Sequence, residues 1–140
     1  MKVFETRICH SAKAIWLLVS EWMDTLAILM NSKAFMLYDK GKFISLCCIK
    51  DFKGVQELGV VITKKCYRGK GYMGELLRFV LPKYGTLYLI CLPSLKKYYE
   101  KFGFKKINRK FAPWQLKRAE LYNIFARLFN KQEIIYMKRK

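Results

Sequence analysis

Between Tyr67 and Gly74 the chain places three glycines and two cations in the order Tyr-Arg-Gly-Lys-Gly-Tyr-Met-Gly. An apolar run rich in β-branched residues precedes this stretch. Residues 75–81, which follow it, have the apolar spacing of a helix. Glycine lets the backbone turn sharply and approach a ligand closely, and a helix N-terminus offers unpaired N–H groups with a partial positive charge. Together with the charges of Arg68 and Lys70, this order of residues predicts a phosphate-binding loop.

Two common phosphate-binding loops do not fit this stretch. Residues 69–74 satisfy G-x-G-x-x-G, but a dinucleotide site also needs an acidic residue about 20 positions further on. No Asp or Glu lies between Glu75 and Glu100, and residues 63–67 separate the glycines from the preceding strand. The G-x-x-x-x-G-K-[ST] loop of nucleoside triphosphatases is absent. The sequence therefore argues against NAD and against nucleoside triphosphates.

A strand, a helix and a second strand are predicted to hold the loop. Residues 56–62 form the third strand of a meander, and residues 72–81 form a helix that Pro82 ends. Residues 85–92 are almost continuously apolar, which is typical of a strand buried on both faces and parallel to its neighbour. The loop would then lie at the carboxyl edge of the sheet, where ligands of such units bind.

The remaining patterns predict a single domain over residues 1–140. Ser11 is a candidate N-cap for one long helix or two short helices ending near residue 30. Gly103 is placed to end a short helix in the left-handed conformation. Residues 113–130 show a helical apolar stripe that begins at Trp114. Further strands are predicted at residues 2–8, 35–38, 43–49, 104–107 and 133–137.

Two motifs carry a resemblance to the GNAT superfamily of N-acetyltransferases. Residues 68–71, Arg-Gly-Lys-Gly, resemble the start of its R/Q-x-x-G-x-G/A loop, and residues 94–104, Ser-Leu-Lys-Lys-Tyr-Tyr-Glu-Lys-Phe-Gly-Phe, resemble its F-Y-E-K-x-G-F motif. The order of elements also agrees over nearly the whole chain. The resemblance implies an α/β (α+β) fold: a mixed, mainly antiparallel sheet of six or seven strands with a splayed parallel central pair, flanked by helices. A helical insertion at about 112–130 would lengthen the last connection.

The resemblance also implies a cofactor and an activity. Acetyl-CoA would bind with its pyrophosphate on the glycine loop, and its acetyl group would pass directly to a primary amine. Tyr99 occupies the general-acid position, and Glu57 is the candidate general base, acting directly or through water. Both have structural alternatives, Tyr99 as a core residue and Glu57 as a solvated or salt-bridged strand residue. The residues expected to contact the cofactor are Val61, Ile62, Arg68, Gly69, Lys70, Gly71, Tyr72, Met73, Gly74, Ser94 and Lys97.

Three residues depart from the family pattern. Met73 occupies the second small-residue position of the loop, with Gly74 one residue later. Leu92 and Leu95 stand where the family often has Asn and Ala. These departures motivate an alternative function, in which the domain has lost catalysis and binds nucleic acid or an acidic protein.

The charge of the chain restricts its partners. Twenty-eight Lys and Arg residues against ten Asp and Glu residues give a formal net charge of +18. Such a surface repels polycations and favours an amine presented on an anionic scaffold, such as a protein lysine or N-terminal amine, a ribosomal protein on RNA, or aminoacyl-tRNA. A lysine-rich but merely solvated surface is the alternative. Residues 111–129 alternate aromatics and cations, which fits either a nucleic-acid contact or a helix packed on the sheet or on a second subunit of a homodimer.

The cysteines and the N-terminal apolar stretch indicate a cytoplasmic protein. Five cysteines without a C-x-x-C pair predict buried thiols in a reducing compartment, and the single His10 argues against a metal site. Residues 12–30 are apolar, but Lys13, Glu21 and Asp24 interrupt them, which argues against a membrane span. The stretch also has no clear signal-peptide cleavage site.

Overall fold

The computed structural model describes residues 1–20, 32–120, 123–124 and 132–140. Within these residues, seven strands form one mixed sheet in the order β1-β2-β3-β4-β5-β7-β6, with β4 and β5 as a parallel pair. This confirms the predicted α+β fold class. The strands are β1 (Lys2–Arg7), β2 (Lys33–Asp39), β3 (Lys42–Phe52), β4 (Val55–Thr63), β5 (Leu87–Cys91), β6 (Lys105–Ile107) and β7 (Ile135–Arg139).

Three α-helices are described: α1 (Ala12–Ser20), α2 (Tyr72–Val80) and α3 (Lys96–Glu100). Short 3-10 helices are also described, at Ile8–His10, Lys65–Tyr67, Leu81–Lys83, Pro93–Leu95, Arg109–Phe111 and Trp114–Ala119. Ser11 caps α1 as predicted, because its Oγ accepts a hydrogen bond from the Ala14 N–H at 3.3 Å. The rest of the helix predicted up to residue 30 lies outside the described residues.

The chain divides into two compact units, one of Met1–Asp51 with Leu58–Tyr84 and the other of Phe52–Glu57 with Gly85–Lys140. In the first unit, β1 pairs with β2 and β2 with β3, both antiparallel. Strand β3 is buried from Phe43 to Lys50, and its apolar side chains join those of α1, β2 and β4 in one core. The first unit therefore has a sheet core that supports the loop following β4.

A lysine inside this first core was not predicted from the sequence. Lys50 is only 1% exposed. A Cβ built on Gly59 of β4 would lie 2.6 Å from Lys50 Cε, so the glycine leaves the space that the lysine stem occupies. The buried cation therefore depends on the missing side chain at Gly59.

In the second unit, β7 pairs antiparallel with both β5 and β6. Its core contains Ala112, Leu116 and Tyr136, with half-buried apolar residues from β4, β5 and β6 packed against them. The segment between β6 and β7 thus contributes to the core through two of its residues.

The prediction that Trp114 begins the apolar stripe of an α-helix is wrong. Trp114 is 75% exposed and begins a 3-10 helix that ends at Ala119. With about three residues per turn, positions i and i+3 lie on one side of such a helix. Leu116 and Ala119 therefore share the inner side, while Trp114 and Lys117 share the outer side. Most of the predicted helix beyond Ala119 lies outside the described residues.

Candidate active site

The glycine loop lies between β4 and α2 in the first unit. A 3-10 turn at Lys65–Tyr67 leads out of the strand, and the Arg68 Nε donates a hydrogen bond to the Thr63 carbonyl at 2.8 Å. Gly69 and Gly71 have φ angles of 76° and 81°, in the left-handed region that other residues avoid. The two left-handed glycines turn the chain so that α2 begins at Tyr72.

The loop has the properties of an anion site. Gly71 is the N-cap of α2 and provides no side-chain cap, so the first N–H groups of the helix point out of the helix end without a capping oxygen. A Cβ at Gly69 or Gly71 would meet no atom within 4 Å, which leaves the backbone open to a ligand. The side chains of Arg68 and Lys70 are exposed beside it. Glu75, the acid of this first turn, is paired with Arg78 at 2.7 Å.

The other loop residues predicted to contact a cofactor stabilise this geometry. Tyr72 meets Tyr67 edge to face at 5.9 Å between ring centroids, and Lys70 Nζ lies 5.7 Å from the Tyr67 ring centroid. Met73 is half-buried and Gly74 is buried in the first turn of α2. On β4, Ile62 is part of the core and Val61 is half-buried. The residues present therefore fit a pyrophosphate group through backbone amides and two cations.

Tyr99 lies in the second unit, on the short helix α3. It is 5% exposed, and its ring contacts Tyr98 and Phe104 edge to face, with centroids 5.3 and 6.1 Å away. Gly103 has a φ of 84°, as predicted, and the Phe104 N–H returns a 3.3 Å hydrogen bond to the Tyr99 carbonyl. The motif therefore fixes the Tyr99 backbone and ring in place.

The remaining predicted residues divide by exposure. Glu57, at the start of β4, is 4% exposed, so it is not a solvated strand residue. Ser94 and Lys97 are exposed, as are Leu92 and Leu95, two of the three departures from the family pattern. The structure thus places the loop residues in the first unit, and Glu57, Ser94, Lys97 and Tyr99 in the second.

The cysteines whose side chains the structure describes divide into two groups. Burial raises the pKa of the Cys47 thiol well above its usual value, with the neighbouring Cys48 adding to the shift, and raises the pKa of Cys91 to about 11. These thiols stay protonated at neutral pH and do not act as nucleophiles. Cys66 is exposed next to the glycine loop, so the prediction of buried thiols is wrong for this residue.

Metal clusters and membrane-spanning helices are both absent from the described part of the chain. There, no three His, Cys, Asp or Glu side chains come together in a way that could hold a metal ion. Among the same residues, no helix is long and apolar enough to cross a membrane.

The known proteins that resemble this chain do so in structure. No protein-family model and no curated protein matches the sequence. N-acetylglutamate synthase from Neisseria gonorrhoeae, complexed with coenzyme A and N-acetyl-glutamate, is similar over 99% of this chain with a TM-score of 0.67 and 16% identity. This chain spans only 35% of that enzyme's length.

Two further solved structures match along almost their whole length. A GNAT family acetyltransferase from Elizabethkingia anophelis, with acetyl-CoA bound, has a TM-score of 0.71 at 12% identity, over 99% of this chain and 97% of its own. A ribosomal-protein-alanine N-acetyltransferase from Escherichia coli has a TM-score of 0.67 at 14% identity, over 99% and 93%. At these identities the likeness concerns the fold. The chain has the fold of the GNAT superfamily.

Proposed function

We propose that this protein is an acetyl-CoA-dependent N-acetyltransferase. One observation carries the proposal: two left-handed glycines, two exposed cations and an uncapped helix N-terminus follow β4 in a fold shared with enzymes solved with coenzyme A or acetyl-CoA bound. Hydrogen bonds from N–H groups to a charged oxygen are about twice as strong as neutral ones. The amides of residues 69–74 would hold the pyrophosphate, and Val61, Ile62, Ser94 and Lys97 would contact other parts of the cofactor.

The chain's own groups supply proton transfers. Acetyl-CoA, when bound, would supply an acetyl thioester. Its acetyl carbon would form a bond to the amine nitrogen as the bond to sulfur breaks, with coenzyme A as the leaving thiolate. Glu57 would accept the proton that the amine must lose, directly or through water, and Tyr99 Oη would donate a proton to the departing sulfur. A phenol with a pKa of about 10 is matched to a thiolate whose parent thiol has a pKa of about 8.5.

The acceptor proposed is a primary amine on an anionic scaffold. The net charge of +18 supports it, because like charges disfavour polycationic acceptors. A structural neighbour acts, by its name, on the alanine of a ribosomal protein, which is the kind of acceptor found on a nucleic-acid scaffold. A protein lysine, an N-terminal amine and an aminoacyl-tRNA all meet this description.

A second candidate function is a non-catalytic module that binds nucleic acid or an acidic protein. The burial of Tyr99 among aromatic rings favours it, since such a ring also serves the core without any proton transfer. The exposed Leu92 and Leu95, at positions where the family often has Asn and Ala, point in the same direction.

Release of free thiol from acetyl-CoA distinguishes the two functions. The enzyme is mixed with acetyl-CoA and, in separate arms, an acidic peptide with a free N-terminus, a lysine peptide and a pool of aminoacyl-tRNA. Acetyl transfer predicts thiol release that depends on one of these amines and is abolished when that amine is blocked. Thiol release no faster than in protein-free controls, in every arm, would refute the enzymatic function and leave the binding module.

A further inference from the structure

The part of the chain that runs from the end of α3 through β6 to Ala119 has an unusual surface. Between Glu100 and Glu120 the chain has seven Lys and Arg residues and no Asp or Glu. Six of these cations have exposed side chains: Lys101, Lys105, Lys106, Arg109, Lys110 and Lys117. Phe111 and Trp114 lie among them with exposed fractions of 80% and 75%. We call residues 101–119 the basic aromatic segment.

The two aromatic side chains are held outward by an ordered backbone. Asn108 caps the 3-10 helix at Arg109–Phe111, because its Oδ1 accepts from the Lys110 N–H at 2.9 Å. The Phe111 N–H donates to the Asn108 carbonyl at 2.9 Å, and the Leu116 N–H donates to the Pro113 carbonyl at 3.0 Å. Such a segment presents its aromatic rings at little further cost in conformational entropy.

The inner side of the segment is anchored to the core of the second unit. Ala112 and Leu116 are 5% and 0% exposed and pack with Tyr136 of β7. Glu120, the acid that ends the segment, accepts a 2.7 Å hydrogen bond from the Tyr136 hydroxyl, and its other oxygen lies 2.7 Å from Arg109 Nη2. The segment is therefore positively charged outward, while the Glu120 carboxylate that follows it is turned inward and paired.

From this arrangement we infer that the basic aromatic segment binds single-stranded nucleic acid, with Phe111 and Trp114 stacking on bases and the surrounding cations contacting phosphates. Stacking platforms within a positively charged surface are how proteins hold single strands without a sequence code. A hollow of about 720 Å³ borders the segment and is lined by Lys106, Asn108, Arg109, Gln132 and Glu133, among others. The amides of Asn108 and Gln132 and the cations of Lys106 and Arg109 suit a base and a phosphate, and Glu133 adds a carboxylate that can accept from a base or a ribose hydroxyl.

A single strand fits better than a membrane surface. An interfacial helix needs a broad continuous apolar face. Within residues 101–119, as far as the structure describes them, Ala112 and Leu116 are buried and the large apolar side chains that are exposed are the two separated aromatics, Phe111 and Trp114. The inference depends on the proposed function in one respect only, that the bound strand would carry or position the amine. The binding itself requires no acetyl transfer.

Fluorescence anisotropy with labelled 20-nucleotide single-stranded RNA, and with DNA of the same sequence, tests this inference on the whole chain. The variant F111A/W114A should bind the preferred strand at least about tenfold more weakly, since stacking contributes about 1–3 kcal/mol per base and about 1.4 kcal/mol is a factor of ten. Its salt dependence should stay as in the wild type. Thermal melting should also be unchanged, because both side chains are exposed.

Matched charge variants separate this surface from the general charge of the protein. K110Q/K117Q and K40Q/K53Q each remove two exposed lysines, the second pair from the turns before β3 and β4. Only K110Q/K117Q should weaken binding. It should also make the negative slope of log K against log salt concentration shallower, by about 0.7 for each phosphate that the variant no longer neutralises. Equal weakening by both pairs, or full affinity in F111A/W114A, would overturn the inference.

Three more measurements on the same variants cover other roles of the segment. Acetyl-CoA affinity by calorimetry should be unchanged in F111A/W114A, so a failure of strand binding is distinguishable from failure of the proposed function. Vesicles of anionic phospholipid should not bind more tightly to wild type than to F111A/W114A. A vesicle or self-association difference between the two proteins, with equal RNA and DNA affinity, would assign the aromatics to a membrane or a dimer instead.

Discussion

Gly69 and Gly71 give the loop its shape, because both hold a left-handed backbone that a β-carbon resists. Neither site is crowded, since a Cβ at either position would meet no atom within 4 Å. A substitution there acts on the direction of the backbone N–H groups and not through a clash. The direction of the loop's N–H groups is therefore sensitive to substitution at Gly71, the N-cap of α2, although the loop is exposed to solvent.

Gly71→Val should remove acetyl-CoA binding. The left-handed conformation costs a side chain about 1–2 kcal/mol, so the loop will adopt another φ and redirect its amides. Removal of two N–H hydrogen bonds to charged oxygens, about 1.5–3 kcal/mol each, predicts at least a 100-fold fall in affinity by calorimetry. Gly54→Val is the matched control, with a φ of 89° and equally open space in the β3–β4 turn. Unchanged affinity in Gly71→Val would place the pyrophosphate elsewhere.

Tyr99→Phe should lower kcat by about 100-fold or more while leaving the acetyl-CoA affinity almost unchanged. The substitution keeps the ring that packs on Tyr98 and Phe104 and removes only the hydroxyl that would donate the proton. Tyr98→Phe, on the neighbouring half-buried tyrosine, is the control. Turnover in Tyr99→Phe equal to that of the wild type would show that Tyr99 is a core residue without a catalytic role.

At the scale of elements, β5 contains a thiol whose ionisation is coupled to folding. Burial raises the pKa of Cys91 from 9.0 to about 11, so the folded protein keeps the proton after the unfolded chain has released it. The unfolded state then binds fewer protons, and the free energy of unfolding falls as pH rises from about 9 to about 11. The buried Cys47 acts in the same direction.

Urea denaturation at pH 7.5 and pH 10.5 measures this coupling. The wild type should lose up to about 2 kcal/mol of stability through Cys91 over this range, less the screening by solvent of a partly buried group. Cys91→Ala will be less stable at pH 7.5, because it removes buried volume, but should lose less on going to pH 10.5. The same loss in both proteins would show that the Cys91 thiol does not limit alkaline stability.

The helices and strands could be predicted from the sequence wherever the spacing of apolar residues fitted one type of element and not the other. Apolar runs bounded by turns gave strands close to β1, β2, β4 and β5, and the glycines with a following amphipathic run located the start of α2. The pattern misled at Trp114, because a 3-10 helix does not keep the period of about 3.6 residues that was assumed. Ala112 and Leu116 of this part of the chain pack with Tyr136, a contact that a local sequence window does not contain.

The environments of single residues were less predictable. Nothing local distinguishes Lys50 from the many surface lysines, and its burial depends on the space left at Gly59 on another strand. The pattern of polar and apolar residues along β4 does not indicate that Glu57 is buried, although it is 4% exposed. Cys66 is exposed because the chain leaves β4 before the loop begins. Tertiary contacts therefore decide the environment of the candidate base, while the loop is set by its own glycines.

For the molecule as a whole, the charge of +18 should select among acceptors. Two peptides with the same N-terminal residue, one followed by acidic and the other by basic residues, should differ in kcat/KM by about tenfold or more in favour of the acidic one. The difference should shrink from 0.1 M to 1 M salt, where the Debye length falls from about 10 Å to about 3 Å. A salt-independent ratio, or faster acetylation of the basic peptide, would mean that charge does not guide the acceptor.

The proposed function requires that the loop after β4 holds the pyrophosphate of acetyl-CoA. An NMR titration of ¹⁵N-labelled protein with acetyl-CoA tests it most directly, because it reports the backbone amides one by one. We expect saturable shifts that are largest at the N–H groups of residues 69–74 and absent in Gly71→Val. No shifts at millimolar acetyl-CoA, or the largest shifts away from this loop, would contradict it.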